Sequence, residues 1–503
     1  MDWQALQAEY PRDRDMPARA FTINALTRVL NGEQYDTLQY PFSKERTDGG
    51  EYIPLVRRRP SVRSGLCRSV VDDSVSLVFG EEHFPSIVVE NDNAKTQLAD
   101  LIREASLPEI MIDAATRGSV GSVALLFQAI EHRPVFTVMD TANLTPVWQK
   151  ARPKLLASVT ERYKVKGSDL AEQGYKILDA DRAASFWFQR IWDDTNETWF
   201  LPQSMADAGD RKPMAIDPDR SVEHGLGFVP IVWIRNLPGG DGPDGACSFE
   251  AAIDTTIEID YLLSQGGRGL KYASDPTLVI KQGPMIPGEP ARQGGAATAL
   301  TLPPEGDAKL LEINGAAASA VLEQVRYLRS LAMEAIHGNR ADADRLKAAQ
   351  SGVAQKLMHQ SLVWLAGRLR LTYGENGLLT LLRMVCAASE KIDGGLTIGD
   401  ASGVHIDPSG LELRWPDYFK PTNADLLATA QALVTANAGG LLSQVTAVTL
   451  LARIADVDDV GAELLLVQAE AAAKAQQAAD AQAAADIRAQ ANVAKNETRQ
   501  ITA

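Results

Sequence analysis

The chain has 503 residues, 45% of them hydrophobic, enough for a large core and several domains. Its formal net charge is −15, which excludes a surface that grips nucleic acid all over through phosphate contacts. Three distant cysteines, a charged start without a signal peptide's apolar stretch, and no bilayer-length apolar run predict a soluble protein made in a reducing cytoplasm.

Residues 1–80 read as mostly helical. "SGLCRSVVDDSVSLVFG" carries Leu66, Val70, Val71, Val75 and Leu77 at helical spacing and stops at Gly80. Just before it, "VRRRPSVR" gathers Arg57, Arg58, Arg59 and Arg63, read as a solvated approach to that helix rather than a phosphate-binding patch. Two more helical patterns fall in 96–132, the second running into a strand. From about 133 to 235 the texture turns to short β-branched and aromatic pieces, "RPVFTVMD", "KLLASVTERYKVKG", "GYKILD", "ASFWFQRIWDD" and "TWFLPQS", separated by Asp, Asn, Gly or Pro. An antiparallel β-rich region is expected there, with Trp187, Trp192 and Trp199 as core or interface anchors.

After the loop "GGDGPDG" a helix is expected to open with Ser248 as its cap. Phe249, Ile253, Ile257 and Tyr261 fall four apart, and so do Glu250, Asp254 and Glu258, a like-charge stripe that is mildly unfavourable in an isolated helix. The glycines of "SQGGRGLK" follow this helix instead of preceding one. A phosphate-cradling loop needs the opposite order, because the free N–H groups lie at a helix N-terminus. Gly266, Gly267 and Gly269 are therefore expected at a helix end, as a hinge. Residues 273–315 read as a small insert with strand-like ends, "TLVIKQG" and "AKLLEI". The next helix has an apolar stripe of Val321, Val325, Leu328, Ala332 and Ile336, with Arg326 and Arg329 off it.

A polar break, "GNRADADRLKAAQSG", precedes a long helix, and 404–416 returns briefly to strand. The chain from about 424 is helical, with Ser443 as a cap, and its alanine-rich end favours helix by propensity but lacks a packed face. The six histidines are scattered, and no G-x-S-x-G, C-x-x-C, H-E-x-x-H or P-loop string occurs. Asp179–Arg182 and Asp342–Arg345 both read D-A-D-R. They are taken as solvated turns rather than as paired Mg²⁺ ligands.

The order helix, glycine stretch, small β insert, helix, polar break and "AAQSGVAQKLMHQ" helix resembles the portal (head-to-tail connector) proteins of tailed bacteriophages. "ASDPTLVIKQG", "RSVVDDSVSLVFGEE" and "GGLLSQVTAVTLLARIADVDDVGAELLLVQAE" carry the resemblance further. It implies an α+β, mainly helical subunit: a wing (1–245 and 351–420), stem helices (246–272 and 316–337), a clip (273–315), a tunnel loop (338–350) and a helical crown (421–503). It also implies a homo-oligomeric ring of about twelve copies at one capsid vertex of the virion, assembled in the host cytoplasm. Double-stranded DNA would pass through it, and the terminase large subunit, major capsid and scaffold proteins, and neck or adaptor proteins would be its partners. No enzyme activity, cofactor, metal or membrane is implied.

On that resemblance Arg340, Arg345 and Lys347 of the tunnel loop are candidates for transient phosphate contact, and Arg268 and Lys271 lie near the clip end of the channel. Glu250, Asp254 or Glu258 would meet Arg326 or Arg329 across subunits, since a ring repeats one heterologous contact. Two alternatives stand beside it: a metal-dependent nuclease using Asp179/Asp181 or Asp342/Asp344, and another oligomeric adaptor assembled through the alanine-rich end.

Overall fold

The computed structural model describes residues 2–205, 213–274, 277–281, 307–311, 316–338, 359–419, 423–454 and 460–501. The fold is α+β, in two compact units, residues 1–342 with 359–418, and 343–358 with 419–503.

The first unit opens with α1 (Trp3–Ala8), α2 (Ala18–Leu30), the short strands β1 (Tyr40–Pro41) and β2 (Arg58–Arg59), and α3 (Leu66–Phe79). The apolar spacing in α3 works as expected: Leu66, Val70, Val71 and Val75 are buried, and Gly80 closes the helix by donating its N–H to Ser76 O. In the arginine run before it, Arg57 and Arg63 are exposed as expected, while Arg58 departs from expectation. Arg58 is 1% exposed; it donates twice to Ile53 O and stacks on Tyr52, so it holds a loop together and faces neither solvent nor phosphate.

Strand β3 (Ser86–Val88), α4 (Asp92–Glu104) and α5 (Leu107–Gly118) lead into the β-rich region. Here β4 (Ser122–Ile130) lies between β5 (Arg133–Asp140) and β12 (Ile231–Arg235) in a three-stranded sheet. A six-stranded sheet holds β6 (Leu144–Gln149), β7 (Arg152–Lys166), β8 (Ser185–Trp192), β9 (Asn196–Trp199), β10 (Gln203–Ser204) and β11 (Val222–Glu223). All pairings in both sheets are antiparallel. The piece "GYKILD" forms no strand; it follows the short α6 (Gly167–Glu172) as irregular chain, with Tyr175 tucked into a small core beside Leu170, Phe186 and Phe188.

Ala124, Leu126 and Ile231 of one sheet share a core with Leu144, Val159 and Trp192 of the other. Trp192 is fully buried, and with Trp199 it stacks on the guanidinium of Arg190, at 4.2 and 4.5 Å. Arg190 also pairs with Glu161 at 2.9 Å and Glu197 at 3.3 Å. The tryptophans at 192 and 199 are thus structural anchors.

A single 3₁₀ turn, Glu250–Ala252, starts α7 (Ile253–Ser274). Ser248 is not its cap: the hydroxyl accepts from Asn236 Nδ2 at 2.9 Å. Strands β13 (Thr277–Lys281) and β14 (Asp307–Leu311) pair antiparallel, Thr277 opposite Leu311, and α8 (Ala316–Ala335) follows. Later come α9 (Gln360–Leu369), a π-helical segment (Arg370–Leu378) and α10 (Leu379–Lys391), then β15 (Leu396–Ile398), β16 (Ala401–Val404) and β17 (Glu412–Arg414), which returns to pair with β3. In the π segment Tyr373, buried, donates to Asn236 Oδ1 at 3.0 Å. Asn236 in turn donates to Ser119 O, Ala246 O and Ser248 Oγ, so one polar knot ties the approach to α7 to the sheet and the long helix.

The second unit contains α11 (Asn423–Ala438), α12 (Gln444–Ile454) and α13 (Val460–Ile501). Ser443 caps α12, as expected, by accepting from Thr446 N at 3.1 Å. The 42 residues of α13 would span about 63 Å, and Leu465, Leu466 and Ile487 stand exposed along it.

Candidate functional site

The candidate site is the pair of helices that brackets the β13–β14 hairpin. α7 exists because Phe249, Ile253, Ile257 and Tyr261 place one apolar row against the main core, where each is at most 6% exposed. α8 is held in the same way by Ala332, Met333 and Ile336, with Val321, Val325 and Leu328 half-buried. The two helices are antiparallel neighbours. The turn that starts α7 packs on α8, and near the other end Gly266 stands against Val321, where an added Cβ would come within 3.0 Å of Cγ1.

The glycines therefore sit differently from expectation. α7 runs unbroken through Gly266, Gly267 and Gly269 to Ser274. Gly266 serves close helix approach rather than a hinge, while Gly267 and Gly269 have open space where a Cβ would stand.

Glu250, Asp254 and Glu258 are all exposed, in one row along the start of α7. Arg326 and Arg329 are exposed on α8. None of these five makes an ion pair among the described residues, although Asp254 Oδ1 accepts from Trp3 N at 2.6 Å and so helps begin α1 within the same chain. Exposed apolar side chains accompany them: Leu270 on α7, and Leu322, Tyr327 and Leu331 on α8. Arg268 does not stand free toward an axis; it pairs with the Glu45 carboxylate. Lys271 is exposed near the end of α7. Arg340, Arg345 and Lys347 lie outside the described residues, as do Asp342 and Asp344. Asp179 is exposed, and Arg182 pairs with it at 2.9 Å across a 3₁₀ turn.

One functional-looking cluster had no reading in the sequence. Thr256, Asp260 and Ser264 form a polar row beside the apolar one, and all three are buried. Asp260 accepts from Tyr35 Oη at 2.9 Å and from Ser64 N at 2.7 Å, while Ser264 Oγ accepts from Ser61 N and Val62 N. Tyr261 Oη donates to Arg58 O. The segment 58–64 is thereby fastened along α7. Burial pushes the Asp260 carboxyl up, and burial with the neighbouring Asp260 pushes Tyr261 to about 12. Thr-x₃-Asp-x₃-Ser at helical spacing, alongside an apolar row, was the available signal. Among the described residues no group of three His, Cys, Asp or Glu side chains could hold a metal, and no described helix is long and apolar enough to cross a membrane.

No protein-family model and no curated protein matches the chain. Among solved structures, a chain of the "Virion of native gene transfer agent (GTA) particle" aligns over 77% of this chain and 88% of its own, at 14% identity and TM-score 0.34. A chain of the "Neck of empty GTA particle computed with C6 symmetry" aligns over the same shares, at 16% identity and TM-score 0.38. Both neighbours are parts of gene transfer agent particles.

Proposed function

We propose that the chain is the subunit of a portal: a ring at one capsid vertex through which double-stranded DNA is packaged and ejected, without enzyme activity of its own. The observation that carries this reading is the antiparallel pair α7 and α8 bracketing a two-stranded antiparallel β pair, with Glu250, Asp254 and Glu258 along one helix and Arg326 and Arg329 on the other, none in an ion pair among the described residues. A single copy leaves both sets, and the exposed Leu322, Tyr327 and Leu331, in water. A second copy placed beside it by rotation would bring one set to the other, and repetition of that contact closes a ring.

In this reading the wing is 1–245 with 351–420, the clip is 273–315, the tunnel loop is 338–350 and the crown is 421–503. The clip would meet the terminase large subunit and later the neck proteins. Arg340, Arg345, Lys347 and Lys271 would face the DNA, and a net charge of −15 per copy would keep the channel from adhering to it. Single-particle imaging of the purified full chain tests the proposal. Rings with a central bore wide enough for a duplex are expected, and a monodisperse single-copy particle without a bore refutes it.

A further inference from the structure

Away from the helix pair, a cleft of about 890 Å³ opens beside β12. Arg152 and Lys154 reach it from the start of β7, Arg235 from the end of β12 and Arg383 from α10. All four are exposed, and none is in an ion pair among the described residues. Among the described residues on the walls the one acid is Asp244, whose two carboxylate oxygens are already held by Arg19 at 2.6 and 2.8 Å. A positive cleft thus stands in a chain whose net charge is −15, and its electrostatic complement is an anionic partner.

Two further features give that partner its shape. Among the described residues strand β12 pairs only with β4, which makes it a sheet edge. Pro230 O accepts from Phe127 N, and Asn236 N donates to Gly121 O. The even-numbered residues therefore carry the ladder, and Trp233 and Arg235 turn their backbone N–H and C=O groups away from β4. The aromatic rings are also engaged. Trp148 and Trp233 meet edge to face at 6.4 Å, Arg235 covers Trp148 at 4.8 Å, and the Trp233 indole donates to Pro243 O at 2.8 Å. A nucleic-acid strand wants open aromatic faces for its bases. These rings are not open, whereas an extended backbone can use the unpaired groups of the strand edge.

We propose that this cleft docks an extended acidic segment of another protein, laid along the free edge of β12 with its carboxylates toward Arg152, Lys154 and Arg383. The proposal does not depend on the ring. Titrating the full chain against a fluorescent, Glu-rich peptide of strand-forming composition tests it, with a Lys-rich peptide and a single-stranded oligonucleotide as the other probes. Saturable binding of the Glu-rich peptide is expected, weakened by added salt and about tenfold weaker in Arg152→Glu/Lys154→Glu. Arg383→Ala supplies an independent check from α10, with several-fold weaker binding expected. No saturable binding, equal affinity in both variants, equal binding of the Lys-rich peptide, or tighter binding of the oligonucleotide each overturns the proposal.

Discussion

At Gly266 an added Cβ would lie 3.0 Å from Val321 Cγ1, while at Gly267 and Gly269 it would meet nothing within 4 Å. Gly267→Ala and Gly269→Ala should therefore each stabilise the chain by about 0.5–1 kcal/mol, because glycine in a helix interior costs backbone entropy. Gly266→Leu should instead destabilise it by about 1–3 kcal/mol by wedging α7 from α8. Urea unfolding of the three variants checks the contrast in sign. Asp260 gives a second test at this scale. Tyr35→Phe removes a donor to a buried carboxylate and should cost about 1.5–3 kcal/mol. Burial holds the Asp260 carboxyl above its ordinary value, so the folded chain binds this proton more tightly than the unfolded chain. The stability this group contributes is greatest below the unfolded value and falls as pH rises through the folded one. Asp260→Asn abolishes that fall, so its melting temperature relative to the parent should rise with pH over the window above the ordinary carboxylate value. A pH-independent difference would show that Asp260 does not ionise in this window.

At the scale of elements, the helices were readable because their apolar rows are local: Leu66, Val70 and Val75 on α3, and Ile253 and Ile257 on α7, repeat at the period of the helix that buries them. Strand β5 was readable for the same reason, and so was the cap at Ser443. Partners distant in sequence were not. Arg58 looks like a solvated cation until Ile53 and Tyr52 are seen to enclose it, and Ser248 looks like a cap until Asn236 claims its hydroxyl. Because Asp254 is partly engaged by Trp3 N, the cleaner pair for charge reversal is Glu258 with Arg326. Glu258→Lys or Arg326→Glu alone should raise the concentration for half-assembly about tenfold, and the double reversal should recover most of that loss. Sedimentation of the three variants decides it. A double variant no better than either single one separates these residues from the contact.

For the whole molecule, the charge balance and the ring reading make a joint prediction about DNA. A conduit must release what passes through it, and each phosphate contact adds both affinity and salt dependence. Purified assemblies should therefore bind duplex DNA no more tightly than about 10⁻⁶ M at physiological salt. A gel-shift titration measures this, and nanomolar retention of duplex would contradict a low-adhesion channel.

The amino-acid sequence alone determined the α+β class, the helices around the small β pair, the antiparallel sheets and the net negative charge, since periodicity, turn chemistry and composition are properties of the chain and its near neighbours. Only the tertiary structure decided that α7 continues through its glycines, that Asp260 anchors the segment 58–64, and that four cations converge beside the free edge of β12. Those outcomes depend on which distant residues are brought into contact and which are denied water, and the strength of a hydrogen bond or a charge is set by that environment.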